Sequence, residues 1–490
     1  MANKFPSFLL LFFTAVLLLD SQAGWPQVRL DANNNIQINT TNQNDVIIVD
    51  EKGGRIHVLT QVAGAGPRLN AFPANRVQHI YIRTFGGDDW VFQISSKPVT
   101  ILTYDGNDSV LGGKNYESVD LGENNDIAYT QKGDDMVDGE EHQDFIILGP
   151  NDDSAFGGSG NDLILGQGGD DLLILGMEGR DILAGGAGVE DIRGNEGDDF
   201  LFGGPGKDEL FGLEDNDILC GGTENDQLAG GTGDDKLWGE AGADHHDGEA
   251  GNDTLYGNPV RGDTFANGAI VVGDFVCGEQ GGEETPPPVI ETIFLEDELL
   301  AVSDGAGYLY VSGTADDDVM LIQAVENGVV VSHQKAGVEE KLFGLTRPPD
   351  VVIQGRGGDD KIEALGKFSR LIVDGGEGND TLSLAKASYD SLITVDDGGD
   401  DGVDLGAGMA FVATEPGNDQ IHGGTGTRYI ANAGLAPNDD PTLVLLNQLD
   451  WPAVEIVEEE DSLKKLVPLI VLIIIVLVLA FFRFKPKQGS

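Results

Sequence analysis

Through the middle of the chain the apolar positions follow neither the roughly 3.6-residue period of a helix nor the two-residue alternation of a long strand. Instead an apolar side chain returns about every nine residues, two places after an acidic one. The acidic anchors are residues 108, 117, 126, 135, 144, 153, 162, 171, 181, 191, 199, 208, 217, 226, 235, 244 and 253. All are Asp except Glu117, and the spacing is nine apart from steps of ten, ten and eight between Asp171 and Asp199. The position two after the anchor is apolar in 15 of the 17 units, Arg193 and His246 being the exceptions. A clean unit reads Gly230-Gly231-Thr232-Gly233-Asp234-Asp235-Lys236-Leu237-Trp238. Self-similarity at such a period predicts a solenoid, in which each unit buries its apolar face only against its neighbours. The three residues after each anchor predict a very short strand whose middle side chain points inward, because strand side chains alternate faces. Stacking the units predicts a dry ladder of Ile164, Leu173, Leu201, Leu210, Leu219, Leu228 and Leu237.

The polar part of the unit predicts the turn. Glycines before the anchor permit positive φ and expose backbone carbonyls without a β-carbon in the way. Where the glycine two before the anchor is missing, Asn115, Asn124 and Asn151 stand in, and Asn tolerates the left-handed region better than most residues. Stacked turns therefore place carboxylate upon carboxylate.

Charge turns this pattern into chemistry. The 490 residues carry 84 Asp+Glu against 29 Lys+Arg, a formal net of −55, with 71 glycines. Residues 104–258 alone hold 38 acids and 6 bases, a net of −32. Nucleic acid is not expected as a partner, since binding phosphates requires a basic surface. Coils of such a sheet lie about 4.8 Å apart, inside a Debye length of about 8 Å at physiological salt. The block needs counter-ions to be compact. Clustered carboxylates and carbonyls suit a hard cation of flexible coordination, which in an extracellular setting is calcium, and roughly ten such ions would offset most of the local excess.

At this point the residues resemble a known family. The unit is similar to the nonapeptide of the RTX, or haemolysin-type, calcium-binding repeats, Gly-Gly-x-Gly-x-Asp-x-apolar-x. The resemblance implies a parallel β-roll with two nonapeptides per coil and ions between successive turns on each edge. It also implies calcium ligation by Asp153, Asp162, Asp171, Asp181, Asp199, Asp208, Asp217, Asp226, Asp235 and Asp253, together with carbonyls of the glycine turns. Asp108, Asp126, Asp135 and Asp144 hold the same position with incomplete glycines. Asp191 breaks the spacing. Asp244 is followed by His245-His246, a doublet that reads as a defective repeat or as a transition-metal ligand pair.

The flanks repeat one another. Asn44-Asp45-Val46, Gly86-Gly87-Asp88-Asp89 and Gly106-Asn107-Asp108 return as Asp317-Asp318-Val319, Gly357-Gly358-Asp359-Asp360 and Gly378-Asn379-Asp380, at offsets of 273, 271 and 272 residues. This predicts two related β-rich modules, with calcium also at Asp360 and Asp380. A further degenerate turn is Gly417-Asn418-Asp419.

The chain ends read as addresses. Residues 1–23 have the layout of a secretory signal peptide, with Lys4, an apolar run from Phe8 to Leu19, and Ser21 and Ala23 before a cut at Gly24; an uncleaved anchor shares this layout. Residues 466–482 are 17 apolar residues bracketed by Lys464-Lys465 and Arg483, long enough for a transmembrane helix with snorkelling cations. A bacterial sorting signal, whose span and basic end are later removed, has the same form. The expected product is a single-pass membrane protein of the secretory pathway with its N-terminal body outside the cell. Cys220 and Cys277 suit one disulfide in an oxidising compartment, though their spacing does not show whether they meet.

The organisation expected is a signal at 1–23, a β-rich module at 24–103, the roll at 104–258, a linker at 259–290 and a second β-rich module at 291–440. An acidic stalk at 441–465, a membrane helix at 466–482 and a basic cytoplasmic tail at 483–490 complete it. The fold class expected is all-β, a parallel β-roll or β-solenoid, plus one C-terminal transmembrane helix. The seven histidines form no His-Glu-x-x-His pattern, and no Gly-x-Ser-x-Gly elbow occurs. The function expected is therefore a non-enzymatic calcium-binding scaffold or adhesion module with a glycan or cell-surface partner. The alternative is a calcium-dependent polysaccharide lyase or epimerase, whose few catalytic carboxylates would be hidden among so many acids.

Overall fold

The computed structural model describes residues 26–63, 66–272, Cys277, 291–431 with short breaks at 296–297, 304–307, 315, 334–337, 346–348, 397–399, 415–419 and 426–427, and 443–445. The expected signal segment, the membrane helix, the basic tail, almost all of the stalk and the turn at Gly417-Asn418-Asp419 lie outside the described residues, as does most of the linker. Every regular element among the described residues is a strand, and none of these residues forms a helix long and apolar enough to cross a membrane. The chain is an all-β parallel β-solenoid. Two compact units divide it, one reaching Asp162 and one running from Leu163 to Asp450.

In the first unit successive strands alternate between two sheets. One sheet stacks Ile36–Asn39, Ile80–Arg83, Val99–Leu102, Glu117–Glu123, Met136–Glu141 and Ser154–Gly160 in parallel. The other stacks Asp45–Lys52, Trp90–Ile94, Ser109–Leu111, Ile127–Tyr129 and Phe145–Pro150. Antiparallel strands close the N-terminal edges: Gln27–Leu30 lies on Ile36–Asn39, and Arg55–Val62 and Arg68–Pro73 extend the second sheet. An uncapped parallel edge would offer unpaired N–H and C=O groups to any passing strand, which these elements prevent.

The second unit begins with the same two-sheet winding. Leu163–Gly168, Ile182–Ala187, Phe200–Pro205, Ile218–Thr223, Lys236–Ala241, Thr254–Gly257 and Ala269–Val272 form one sheet. Leu173–Gly179, Asp191–Glu196, Glu209–Glu214, Gln227–Thr232, His245–Ala250 and Thr264–Ala266 form the other. Pairing thus continues past Asn258 to Val272. The inward ladder has the expected nine-residue origin, with Leu201, Leu219, Leu237 and Leu255 aligned on one side and Ile192, Leu210 and Leu228 on the other, all buried.

Two ladder positions differ from expectation. The step from Asp171 to Asp181 holds one extra residue, so Ile174 takes the inward place while Leu173 is half-buried and Leu172 is 70% exposed. Arg193 is not inward either. Ile192 fills the core, and Arg193 lies outside in a two-pronged pair with Asp191, both distances 2.8 Å, over the ring of Phe211.

One sheet of this winding is apolar on both faces. Beyond the inward ladder, Leu163, Leu165, Ile182, Ala184, Phe200, Phe202, Cys220 and Trp238 are also buried. Part of the cover comes from the same unit: Tyr310 and Arg356 line a small cavity with Leu165, Ala184 and Phe202, and the Gln167 amide donates to Gln354. Cys220 and Cys277 are disulfide-bonded, and the Cys277 N–H donates to Glu240. Strands Tyr308–Ser312, Asp350–Gln354, Lys361–Asp374, Ala387–Asp396 and Gly402–Thr414 form a further largely parallel sheet around Leu309, Val351, Ile353, Leu371 and Val373. The antiparallel excursion Val319–Val325, Gly328–His333 and Val338–Gly344 branches from it.

Candidate metal centre

Each anchor carboxylate is a buried rung between coils. In the first unit the Asp108 N–H donates to Oδ1 of Asp126 at 2.6 Å, Asp126 to Asp144 at 2.9 Å and Asp144 to Asp162 at 2.8 Å. On the opposite edge Glu117 donates to Asp135 and Asp135 to Asp153. The second unit carries Asp181, Asp199, Asp217, Asp235 and Asp253 on one edge by the same bond. Its other edge runs Glu190, Asp208, Asp226, Asp244 and Asp263. Asp318, Asp360, Asp380 and Asp401 form a third such ladder. Asp171 is also buried, with its carboxylate over Gly166.

The second oxygen of the anchor carries the chemistry. Oδ2 of Asp199, Asp208, Asp217, Asp226, Asp235, Asp244, Asp253, Asp360 and Asp380 is buried without a hydrogen-bond partner. It lies over the glycine five residues earlier, and at Asp199, Asp208, Asp217, Asp253 and Asp360 a carbonyl of the following coil adjoins that same glycine. A β-carbon at Gly212 would stand 2.2 Å from Oδ2 of Asp217 and 2.6 Å from the Gly230 carbonyl oxygen; at Gly355 the corresponding distances are 2.3 Å to Asp360 and 2.1 Å to Gly375. Carboxylate and carbonyl oxygens thus converge where no donor answers them. Among the described residues no three His, Cys, Asp or Glu side chains cluster as a metal site, so an ion here must draw on backbone carbonyls. A donor set made of oxygen alone fits a hard cation such as calcium and disfavours softer metals.

Burial without a counter-ion shifts these carboxyls toward the protonated form. It pushes Asp199 up to about 9, Asp217 and Asp226 to about 8, and Asp360 and Asp380 to about 7, with neighbouring anchors adding repulsion. Glu190 is raised furthest, to about 11, by burial and the adjoining Asp208.

The ladder ends are closed differently. Oδ2 of Asp45 accepts from the Thr41 N–H at 2.9 Å and hydroxyl at 2.8 Å; Thr314 does the same for Asp318 at 2.6 and 2.9 Å. The Asn258 N–H donates to Oδ2 of Asp263 at 2.5 Å. At these three anchors a protein donor reaches Oδ2, which the nine Oδ2 atoms named above lack. A second ladder runs beside the first at the residue before the anchor: Asn216 donates to Asp198 through both N–H and amide, Asp234 to Asn216, and Asn252 to Asp234.

A model of the RTX calcium-binding nonapeptide repeat, four copies long, matches residues 120–155, 147–183, 173–201, 185–219, 221–255, 372–384 and 411–430. These are RTX calcium-binding repeats. No curated protein matches the chain. The RTX match covers most anchors, and the hydrogen-bond ladders add those that the spacing missed. Glu190, not Asp191, occupies the anchor slot, as counting nine back from Asp199 and requiring an apolar residue two later, Ile192, would have found. Asp45, Asp89, Asp263, Asp318 and Asp401 join the ladders by the same backbone-to-carboxylate bond, although the spacing of 19 to 44 residues between such rungs obscures them. Asp244 is a regular anchor. The His245-His246 doublet is no chelating pair, since His245 points outward to Thr264 and His246 is buried inside against Phe265. Asn124 and Asn151 have φ of 88° and 109°, the left-handed turn expected where the glycine is absent, whereas Asn115 does not adopt it.

Proposed function

We propose that this chain is a surface protein whose RTX solenoid is completed by calcium outside the cell, and that it serves as a membrane-tethered scaffold or adhesion module. The observation that carries this reading is the row of nine buried anchor Oδ2 atoms with no donor, five of them beside a backbone carbonyl of the following coil. In that reading calcium supplies positive charge at each such pair of oxygens. The anchors Asp108, Asp126, Asp135, Asp144, Asp153, Asp162, Asp171, Asp181, Asp199, Asp208, Asp217, Asp226, Asp235, Asp253, Asp360 and Asp380 hold it with the glycine-turn carbonyls. Asp244 and Asp89 join them, whereas at Asp45, Asp318 and Asp263 protein donors already reach Oδ2.

The energetic logic is linkage. An ion that binds the folded form and not the repelling unfolded chain raises stability with its concentration. The apolar C-terminal span and N-terminal signal layout support the tether and the outward orientation, and the Cys220–Cys277 disulfide agrees with an oxidising compartment. We read the two flanking modules as diverged copies of one unit, each opening on a Thr-sealed anchor.

Circular dichroism of the full chain, first in chelator and then with calcium, tests the central claim. A β signal that rises strongly with calcium at neutral pH is expected; a spectrum indifferent to calcium removes the proposal. Protease accessibility on intact cells tests the orientation, and cleavage confined to permeabilised cells would reverse it.

A further inference from the structure

The acidic excess stops at the N-terminal end of the molecule. Residues 24–103 hold seven Lys and Arg against six Asp and Glu, a net of +1, beside −32 for residues 104–258. Part of that charge is gathered on one sheet face. Ile36, Ile38, Ile80, Ile82, Val99 and Ile101 fill the core, so strand alternation turns Gln37, Asn39, Tyr81, Arg83 and Thr100 outward. The register sets Gln37, Tyr81 and Thr100 in one row and Asn39 beside Arg83 in the next. Exposed Arg29 lies opposite Gln37 on the edge strand.

Tyr81 is the centre of this face. The His79 ring lies 4.5 Å from it, and the Arg83 guanidinium sits 5.7 Å above its centroid. Arg83 also donates to the Gln37 amide oxygen at 3.1 Å, and the His79 ring is 3.0 Å from the Thr100 hydroxyl. The guanidinium is thus held in place beforehand, which lowers the ordering cost of binding. A face offering an aromatic ring and a guanidinium, with the Asn39 amide in the same row and Gln37 held between Arg83 and the Asp31 carboxylate, matches a sugar ring that bears an acid group. The guanidinium fork takes the carboxylate or sulfate in two hydrogen bonds, and the sugar's C–H groups pack against the part of the Tyr81 ring that His79 and Arg83 leave uncovered. An apolar protein surface would find no matching apolar patch here. Nucleic acid needs a run of cations along its phosphates, whereas a single acid-bearing sugar needs one guanidinium.

We propose that the sheet face around Tyr81 and Arg83 binds an anionic glycan. This deepens the adhesive reading above by naming its partner. The test uses the full chain, calcium-loaded, on immobilised polygalacturonate, heparin and neutral dextran, which separates carboxylated from sulfated ligands. Binding to a polyanion and not to dextran is expected, weakened about tenfold or more by R83Q and by Y81S, as loss of charge-assisted bonds and stacking requires. R29Q, at an exposed position, should weaken it too and covers the case in which R83Q does not fold. Wild-type chain that responds to calcium by circular dichroism yet binds no polyanion overturns the glycan site alone; absence of the calcium response overturns the calcium reading instead. Glycan binding indifferent to R83Q, Y81S and R29Q also overturns the site. So does self-association that R83Q dissolves in sedimentation, which would assign the face to the acidic roll of a second copy.

Discussion

Gly212 has no room for a side chain, because a β-carbon there would press on the Asp217 carboxylate and the Gly230 carbonyl at once. The position four before the anchor is less demanding: Phe85, Tyr104, Met177 and Leu213 occupy it with φ between 70° and 87°. The two glycines of the repeat therefore have different causes, one steric and one conformational. G212A should cost about 1–3 kcal/mol and weaken one calcium site, read by denaturation and calcium titration. Thr41 gives the opposite signature. T41V removes a hydroxyl donor to Asp45 and should cost about 2 kcal/mol equally with and without calcium, whereas D217N should lose stability only when calcium is present. Unequal losses for T41V in the two conditions would mean that Asp45 also answers to the ion. At this scale the nine-residue spacing located most anchors. It missed Glu190 because Asp191, one residue on, mimics the expected residue type, and it missed the Thr41 seal because a side-chain bond four residues along leaves no periodic trace.

Alternate repeat strands differ in a way that was present in the sequence. Phe200-Leu201-Phe202 and Ile218-Leu219-Cys220 are apolar throughout, whereas Glu209-Leu210-Phe211 and Gln227-Leu228-Ala229 are less so. A sheet covered on both faces reads as continuous apolar runs, and one facing water reads as alternation. The nine-residue period concealed this because it treats all strands alike; the eighteen-residue coil separates them. The ladder also contains a fault. His246 is fully buried, its ring nitrogens face only the backbone of Thr264 and Tyr256 without a well-formed hydrogen bond, and burial lowers its pKa so that it stays neutral. H246L should stabilise the calcium-loaded protein by about 1–2 kcal/mol, seen as a higher denaturation midpoint; a lower midpoint would show that the ring is satisfied. The Cys220–Cys277 bridge closes a separation of 57 residues, so C277S is expected to cost about 4 kcal/mol on chain-entropy grounds. Chemical denaturation of oxidised protein against C277S measures it.

For the whole molecule the sum of anchor shifts sets a pH response. Burial raises Asp199, Asp217, Asp226, Asp360 and Asp380 from 3.8 to values between about 7 and 9. A carboxyl raised on folding favours the folded state fully below its unfolded pKa and loses that contribution as pH climbs through the folded value. Metal-free protein should therefore be compact in mild acid and come apart between about pH 4 and pH 9. Calcium should abolish that loss, because the ion then occupies the place of the protons. Tryptophan fluorescence across pH, in chelator and in calcium, measures both curves, and a metal-free form stable at pH 9 would contradict the assignment. The charge of −55 made a cation necessary, but it did not reveal that the N-terminal module stands apart from that excess, since a total hides where its parts lie.

The Thr41 seal has a kinetic consequence. A solenoid grows coil upon coil, and its costliest event is forming a first coil with nothing to stack on. Because Asp45 is fastened by hydroxyl and amide, that first coil stands as a seed at any ion level. Refolding started by a jump in calcium should then begin without a lag and advance from residue 45 onward, and T41V should introduce the delay that the seed removes.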